Sequence, residues 1–169
     1  GNRPGPLVHF LGNVFTGTGD DGLDLDGTDA WVEGNIFMHA HKNGAPDSSS
    51  GVSGGGDSGN TSELTIIGNI FYDCDHAALA KQGNFYTLLN NTVVHQTHAG
   101  GLDIDGAVVG LKDDATAEGA GFYLEGNLIL DAENLVRGRT NAIVTLTNNL
   151  IHQLAGTNWS GPGGNNATN

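Results

Sequence analysis

Gly34-Asn35-Ile36-Phe37 decides the fold, because the chain keeps returning to it. Gly12-Asn13-Val14-Phe15, Gly68-Asn69-Ile70-Phe71 and Gly126-Asn127-Leu128-Ile129 are close copies. Asn90-Asn91-Thr92-Val93 and Asn148-Asn149-Leu150-Ile151 carry Asn where the others carry Gly. The second Asn of each copy stands at 13, 35, 69, 91, 127 and 149, giving steps of 22, 34, 22, 36 and 22. A period of 22 residues with insertions of 12 and 14 is the signature of a repeat architecture.

The neighbouring columns say what each repeat builds. Two residues after the Asn come Phe15, Phe37, Phe71, Val93, Ile129 and Ile151; three before it come Phe10, Val32, Ile66, Leu88, Leu124 and Leu146. Five before it come Val8, Ala30, Leu64, Tyr86, Phe122 and Val144. Apolar residues at minus five and minus three have the period of two that marks a strand with one buried face. The Gly or Asn just before each repeated Asn tolerates positive φ, which a sharp corner needs. Each repeat therefore reads as strand, corner, strand, and stacking such repeats makes a parallel β-solenoid with about 4.8 Å between coils. The order Gly-Asn and the regular spacing exclude a sandwich of Asn-Gly hairpins. Asn stacked on Asn at the corner predicts a ladder of side-chain amides bonded to neighbouring backbone.

The chain of 169 residues suits one domain, and 28 Gly with 15% charged residues suits tight corners rather than helices. A net charge of −13 excludes a nucleic-acid binder, since nothing basic would neutralise phosphates, and favours cations as ligands. No apolar run is long enough for a membrane span, and no signal peptide is recognisable. Cys74 is the single cysteine and excludes an internal disulfide. Low Lys content and sequons at Asn60, Asn90, Asn158 and Asn166 fit an exported, extracellular protein. Coils occupy 1–154, with loop insertions expected near 43–60 and 107–119 and a Gly/Asn-rich tail at 155–169. The first coil starts without a cap, so the chain reads as a piece of something longer, with ends open to neighbouring domains or to end-to-end self-association.

The chemistry collects on one strand face. Gly19-Asp20-Asp21-Gly22-Leu23-Asp24-Leu25-Asp26-Gly27 turns Leu23 and Leu25 inward and Asp24 and Asp26 outward, with Asp20 and Asp21 at the corner leading in. Four carboxylates within seven residues suit Ca2+, which takes six to eight oxygens; the alternative is that Asp20 and Asp21 only form Asx-turns. Counting seven residues on from each corner Asn puts Asp20, Lys42, His76, His98 and Asn134 in one polar column. His39 and His41 share a strand face and suit a transition metal, but spacing supplies no third ligand, and an ordinary polar face is the simpler reading. Gly100-Gly101-Leu102-Asp103-Ile104-Asp105-Gly106 nearly duplicates the first acidic strand. Asp24 and Asp103 stand about three coils apart, roughly 14 Å, too far for the paired carboxylates of a glycoside hydrolase.

Asp20-Asp21-Gly22-Leu23-Asp24 resembles the calcium-binding Asp-Asp-x-x-Asp segment of a family of right-handed β-helix pectate lyases. The resemblance implies a right-handed coil, Asp20, Asp21 and Asp24 as Ca2+ ligands joined by Asp26, and Lys81 as the base that removes the proton beside a uronate carboxylate. His76, Arg137 and Arg139 are then the candidates for contacting an acidic polysaccharide or cell-surface glycan. Asp21 to Phe37 and Asn69 to Lys81 are also similar to β-helix regions of large secreted bacterial proteins that carry lamin-tail or spore-coat-kinase-like domains. Two functions follow: a calcium-dependent polysaccharide lyase, or a non-catalytic module that binds carbohydrate or builds a surface assembly. The lyase reading needs Lys81 outside, whereas strict alternation counted from Leu79 turns it inward unless the strand changes phase near Ala78.

Overall fold

The computed structural model describes residues 7–41, 49–96, 106–111, 119–138, 141–160 and 167–168. Every described strand belongs to one of three parallel sheets, of seven, six and six strands, and no helix occurs among these residues. Each coil contributes one strand to each sheet in turn; coil one supplies Val8–Leu11, Val14–Thr16 and Leu23–Asp24. In the first sheet Val8 pairs with Ala30, Ala30 with Leu64, Leu64 with Tyr86, Tyr86 with Phe122 and Phe122 with Val144. Those are the residues of the minus-five column, stacked as the repeat predicts.

The corner between the first and second sheets is an asparagine ladder. Gly12, Gly34, Gly68, Asn90, Gly126 and Asn148 all have φ between 53° and 67°. That left-handed turn directs the following Asn into the stack. Asn69 Oδ1 accepts from the backbone N–H of Asn35 at 2.8 Å and from Asn35 Nδ2 at 3.0 Å, while Asn69 Nδ2 donates to Val32 O at 2.9 Å. The pattern runs unbroken from Asn13 to Asn149. Amides that would be costly to bury unpaired thus tie each coil to its neighbour. Immediately inside, Phe15, Phe37 and Phe71 stack with ring centroids 4.9 Å apart and planes inclined by 7°. Coil spacing sets that geometry, and Val93, Ile129 and Ile151 continue the column in register.

Three expectations need correction. The extra residues of coils two and four are not single loops at 43–60 and 107–119, because Ser50–Gly54 and Ala107–Leu111 inside those ranges are strands of the third sheet. Each insertion is instead split, part entering before the third-sheet strand and part after it. The predicted polar column fails for the same reason. The residues aligned with His76 are Ser50, Ala107 and Asn134, and Ser50 stands over Asp21 rather than Asp20. Lys42 and His98 lie outside the described residues. The stretch after 154 also carries coil structure, since Trp159–Ser160 pairs with Asn134–Arg137, and Ala167–Thr168 with Ile143–Thr147. An Asn- and Gly-rich composition had suggested a plain tail; backbone pairing to an existing sheet edge needs little from side chains.

Candidate functional site on the outer face of the third sheet

Third-sheet strands change phase in the middle. Ala77 and Ala78, Val108 and Val109, and Leu135 and Val136 are adjacent pairs that both lie in the core. The ladder skips one position there: Ser50 pairs with His76 and Val52 with Ala78, with no partner registered for Gly51. Each strand passes over one residue here, so the coils share a phase change that re-aims everything after it. Leu79 is buried yet outside the core cluster, in register through Ser53 with the exposed Asp24. It therefore stands on the outer face, and Lys81, two residues on, shares that face. The phase change near Ala78 that an outward Lys81 requires is present.

Lys81 Nζ lies 3.8 Å from Asp24 Oδ1, spanning from coil three to coil one. The pair crosses coil two where its outward residues are small: Ser50, Ser53 and Gly55. A side chain at Gly55 would collide with Asp26 Oδ1 and Gln82 Oε1, so glycine is what lets the two coils approach. The Gly55 N–H donates to Asp26 Oδ1, and Gly56 N–H to Gln82 Oε1, which fixes this stretch from both sides.

The carboxylates occupy distinct environments. Asp21 accepts from Ser50 Oγ at 2.6 Å, and burial, reinforced by Asp20 and Asp24, pushes its carboxyl up to about 6 against the pull of Ser50 and Lys81. Burial also raises Asp24, opposed by Lys81 and assisted by Asp26 and Asp20. Both acids are held above their ordinary range chiefly by burial, with the neighbouring carboxylates adding to it, and a cation there would oppose the shift. The Ser53 hydroxyl, in register beside Asp24, is buried with no hydrogen-bond partner among the described residues.

Other candidates fall elsewhere. His76 is fully buried, its Nδ1 3.4 Å from Ser49 O, so it has no open surface for contacting a glycan. Arg137 is in register with Gly110 and Leu79 on the same outer face, about two coils beyond Lys81 and roughly 19 Å from Asp24 by coil spacing. Arg139, Asp103 and Asp105 lie outside the described residues. Cys74 is buried and its thiol is pushed up to about 12, which removes it as a nucleophile. As they stand, no three His, Cys, Asp or Glu side chains among the described residues are arranged to hold a metal ion. No family model, curated protein or solved structure matches the chain.

Sequence reasoning picked out His39 and His41 but missed the aspartates that meet them in a second polar region. At the bend between the second and third sheets, Gly17, His39, Asp73, His95, Asp131 and Gln153 all have positive φ. They stand four residues after each corner Asn, a column detectable because none of its members is apolar. Here His39 meets Asp73 at 2.8 Å, His95 meets Asp131 at 2.7 Å, and His41 lies between Asp73 and Asp75.

Proposed function

We propose that the chain is a right-handed parallel β-helix that acts outside the cell on an acidic polysaccharide, cleaving it by calcium-assisted β-elimination with Lys81 as the base. What carries this reading is the Lys81–Asp24 contact at 3.8 Å on a face where Asp21 and Asp24 are both held above the ordinary carboxylate range. Asp20, Asp21, Asp24 and Asp26 supply an all-oxygen donor set, and Ser53 adds an unpartnered hydroxyl beside them. Calcium bound there would neutralise the uronate carboxylate and make the adjacent C–H more acidic.

The rest of the chemistry belongs to the chain. The base would be the neutral amine of Lys81, formed by giving its proton to solvent once Asp24 turns to another partner. It would take the C5 proton of the uronate, the electron pair would form the C4–C5 double bond, and the C4–O glycosidic bond would break with its electrons on the departing sugar oxygen. Incubation with polygalacturonate and Ca2+, followed by ultraviolet absorbance of the unsaturated product, tests this directly. Absence of product, or equal product from Lys81→Ala, removes the enzyme reading.

One observation favours a non-catalytic module instead. The outer face of the second sheet is largely apolar: Val14 in coil one, Ile70 and Tyr72 in coil three and Leu150 in coil six are exposed there. A face of that kind suits partner or glycan docking. Retention of a glycan on an array by both the parent chain and Lys81→Ala, without product, would establish the module.

A further inference from the structure

The second bend brings together what the sequence kept apart. His39 and His41 belong to coil two, Asp73 and Asp75 to coil three, 34 residues later. Backbone bonds hold the two coils face to face at this point: His39 N–H donates to Tyr72 O and Asp75 N–H to Ala40 O. The positive φ of His39 and Asp73 swings both side chains to the same side of the bend.

The hydrogen-bond inventory around His41 does not close with a neutral imidazole. Asp75 is nearly buried, and its Oδ2 accepts from both the N–H and the hydroxyl of Ser49 at 3.2 Å, as an ionised carboxylate does. Its Oδ1 lies 2.7 Å from His41 Nδ1, which is therefore the protonated nitrogen. The lone pair of His41 Nε2 is then left pointing at Asp73 Oδ1, 3.1 Å away, an acceptor against an acceptor. A second ring proton or a metal cation between them satisfies both. The other oxygen of Asp73 is 2.8 Å from His39 Nδ1, so two imidazoles converge on one carboxylate.

We infer that His39 Nδ1, His41 Nε2 and Asp73 form a divalent transition-metal site that takes Zn2+, with Asp75 orienting His41 and Ser49 holding Asp75. Two nitrogens and one carboxylate are a zinc donor set, and a carboxylate fixing the far nitrogen of a ligating histidine is its usual support. Tetrahedral zinc at ordinary bond lengths separates its ligand atoms by roughly 3.3 Å. The present N···O distances of 2.8 and 3.1 Å are those of side chains hydrogen-bonded to one another through the two different oxygens of Asp73, so coordinating one ion requires the two histidines to turn toward each other. His39 has room to turn, since its side chain is 49% exposed. The same exposure leaves a coordination position open to solvent or to an anionic ligand atom. The soft-nitrogen donor set separates this site from the all-oxygen face around Asp24, and the inference does not depend on the lyase reading.

The chain carries its own control. Coils four and five repeat the bend with His95 on Asp131 at 2.7 Å, but Thr97 replaces the second histidine and Glu133 the second aspartate. A lone His–Asp pair lacks a third ligand. The test titrates ZnCl2 into the full chain by calorimetry, with Co2+ visible absorption reporting the donor set and CaCl2 as the hard-cation comparison. One zinc per chain is expected, with tetrahedral Co2+ bands and a raised melting temperature. His39→Asn and Asp73→Asn keep residues that tolerate positive φ and should abolish the stoichiometric site, while Asp75→Asn should weaken it on the order of 10–100-fold. His95→Asn and Asp24→Asn should bind as the parent does. No saturable zinc binding, binding that survives His39→Asn with Asp73→Asn, or loss on His95→Asn alone overturns the site. Circular dichroism of each variant separates loss of ligand from loss of fold.

Discussion

The two bends that flank the second sheet meet the same backbone demand with opposite chemistry. Both hold one residue per coil at positive φ, from Gly12 to Asn148 at the first and from Gly17 to Gln153 at the second. At the first bend only Gly and Asn occupy that position, and the neutral Asn that follows is, at Asn35, Asn69, Asn91 and Asn127, buried and bonded to the coil above and below. At the second, His and Asp alternate, the pairs are largely exposed, and His95–Asp131 closes with a single contact. A solenoid needs one bend to fix the register of its coils. With register fixed, the other is free to carry charge, ligands or nothing.

The sharpest way to break that comparison is to remove a rung of the amide ladder. Asn91→Ala would remove the side-chain acceptor of the Asn69 N–H and the side-chain donor to the Ile66 carbonyl, and would leave Asn127 Oδ1 with only the backbone N–H of residue 91. A loss of about 3–5 kcal/mol follows from orphaning several buried groups, read by urea denaturation. A loss under about 1 kcal/mol would show that the ladder does not hold the register.

Asp21 tests the acidic face against both bends, with the opposite sign. Its carboxyl sits at about 6 in the folded chain against an ordinary 3.8, so the folded state binds the extra proton between those values. The stability it contributes is therefore highest below about pH 4, falls as pH rises to about 6, and stays flat above. Asp21→Asn should stabilise the chelator-treated protein by about 2–3 kcal/mol at pH 7.5 and leave it unchanged at pH 3.5. Equal stability at both pH values would show that the carboxyl is not strained by burial.

Smaller effects separate backbone from side chain. Gly34→Ala at the first bend should cost about 1–2 kcal/mol, because φ is +65° although no neighbour lies in the way of a new methyl. Gly34→Asn should cost less, as Asn90 and Asn148 already hold that place. At the second bend, His95→Asn should change stability by less than about 0.5 kcal/mol, since the pair it breaks is exposed. Thermal melts of the three variants in one buffer rank them, and a His95→Asn cost equal to that of Asn91→Ala would erase the distinction drawn between the bends.

Much of this was legible because the first bend writes itself into the sequence. Asn13 to Asn149, the residue before each and the apolar columns at minus three and minus five all sit where the 22-residue count puts them. The second bend was invisible because left-handed φ accepts Gly, His, Asp and Gln alike, so no single residue type marks it. Lys81 resisted a simple count because the phase change at Ala77–Ala78 reverses inside and outside within one strand, and small residues give no sign of it. The placing of the insertions failed because the strand Ser50–Gly54, made of Ser, Gly and Val, has the composition of a loop. Its strand character comes from the coils on either side, which a single segment does not contain.

The splitting of both insertions has an engineering consequence. Extra residues enter only at the bends on either side of the third sheet, in coils two and four, while the first and second sheets keep their registers without a break. The molecule thus has two walls that set its dimensions and one that accepts new material, and peptide grafted at those bends should be displayed without disturbing the stack beneath it.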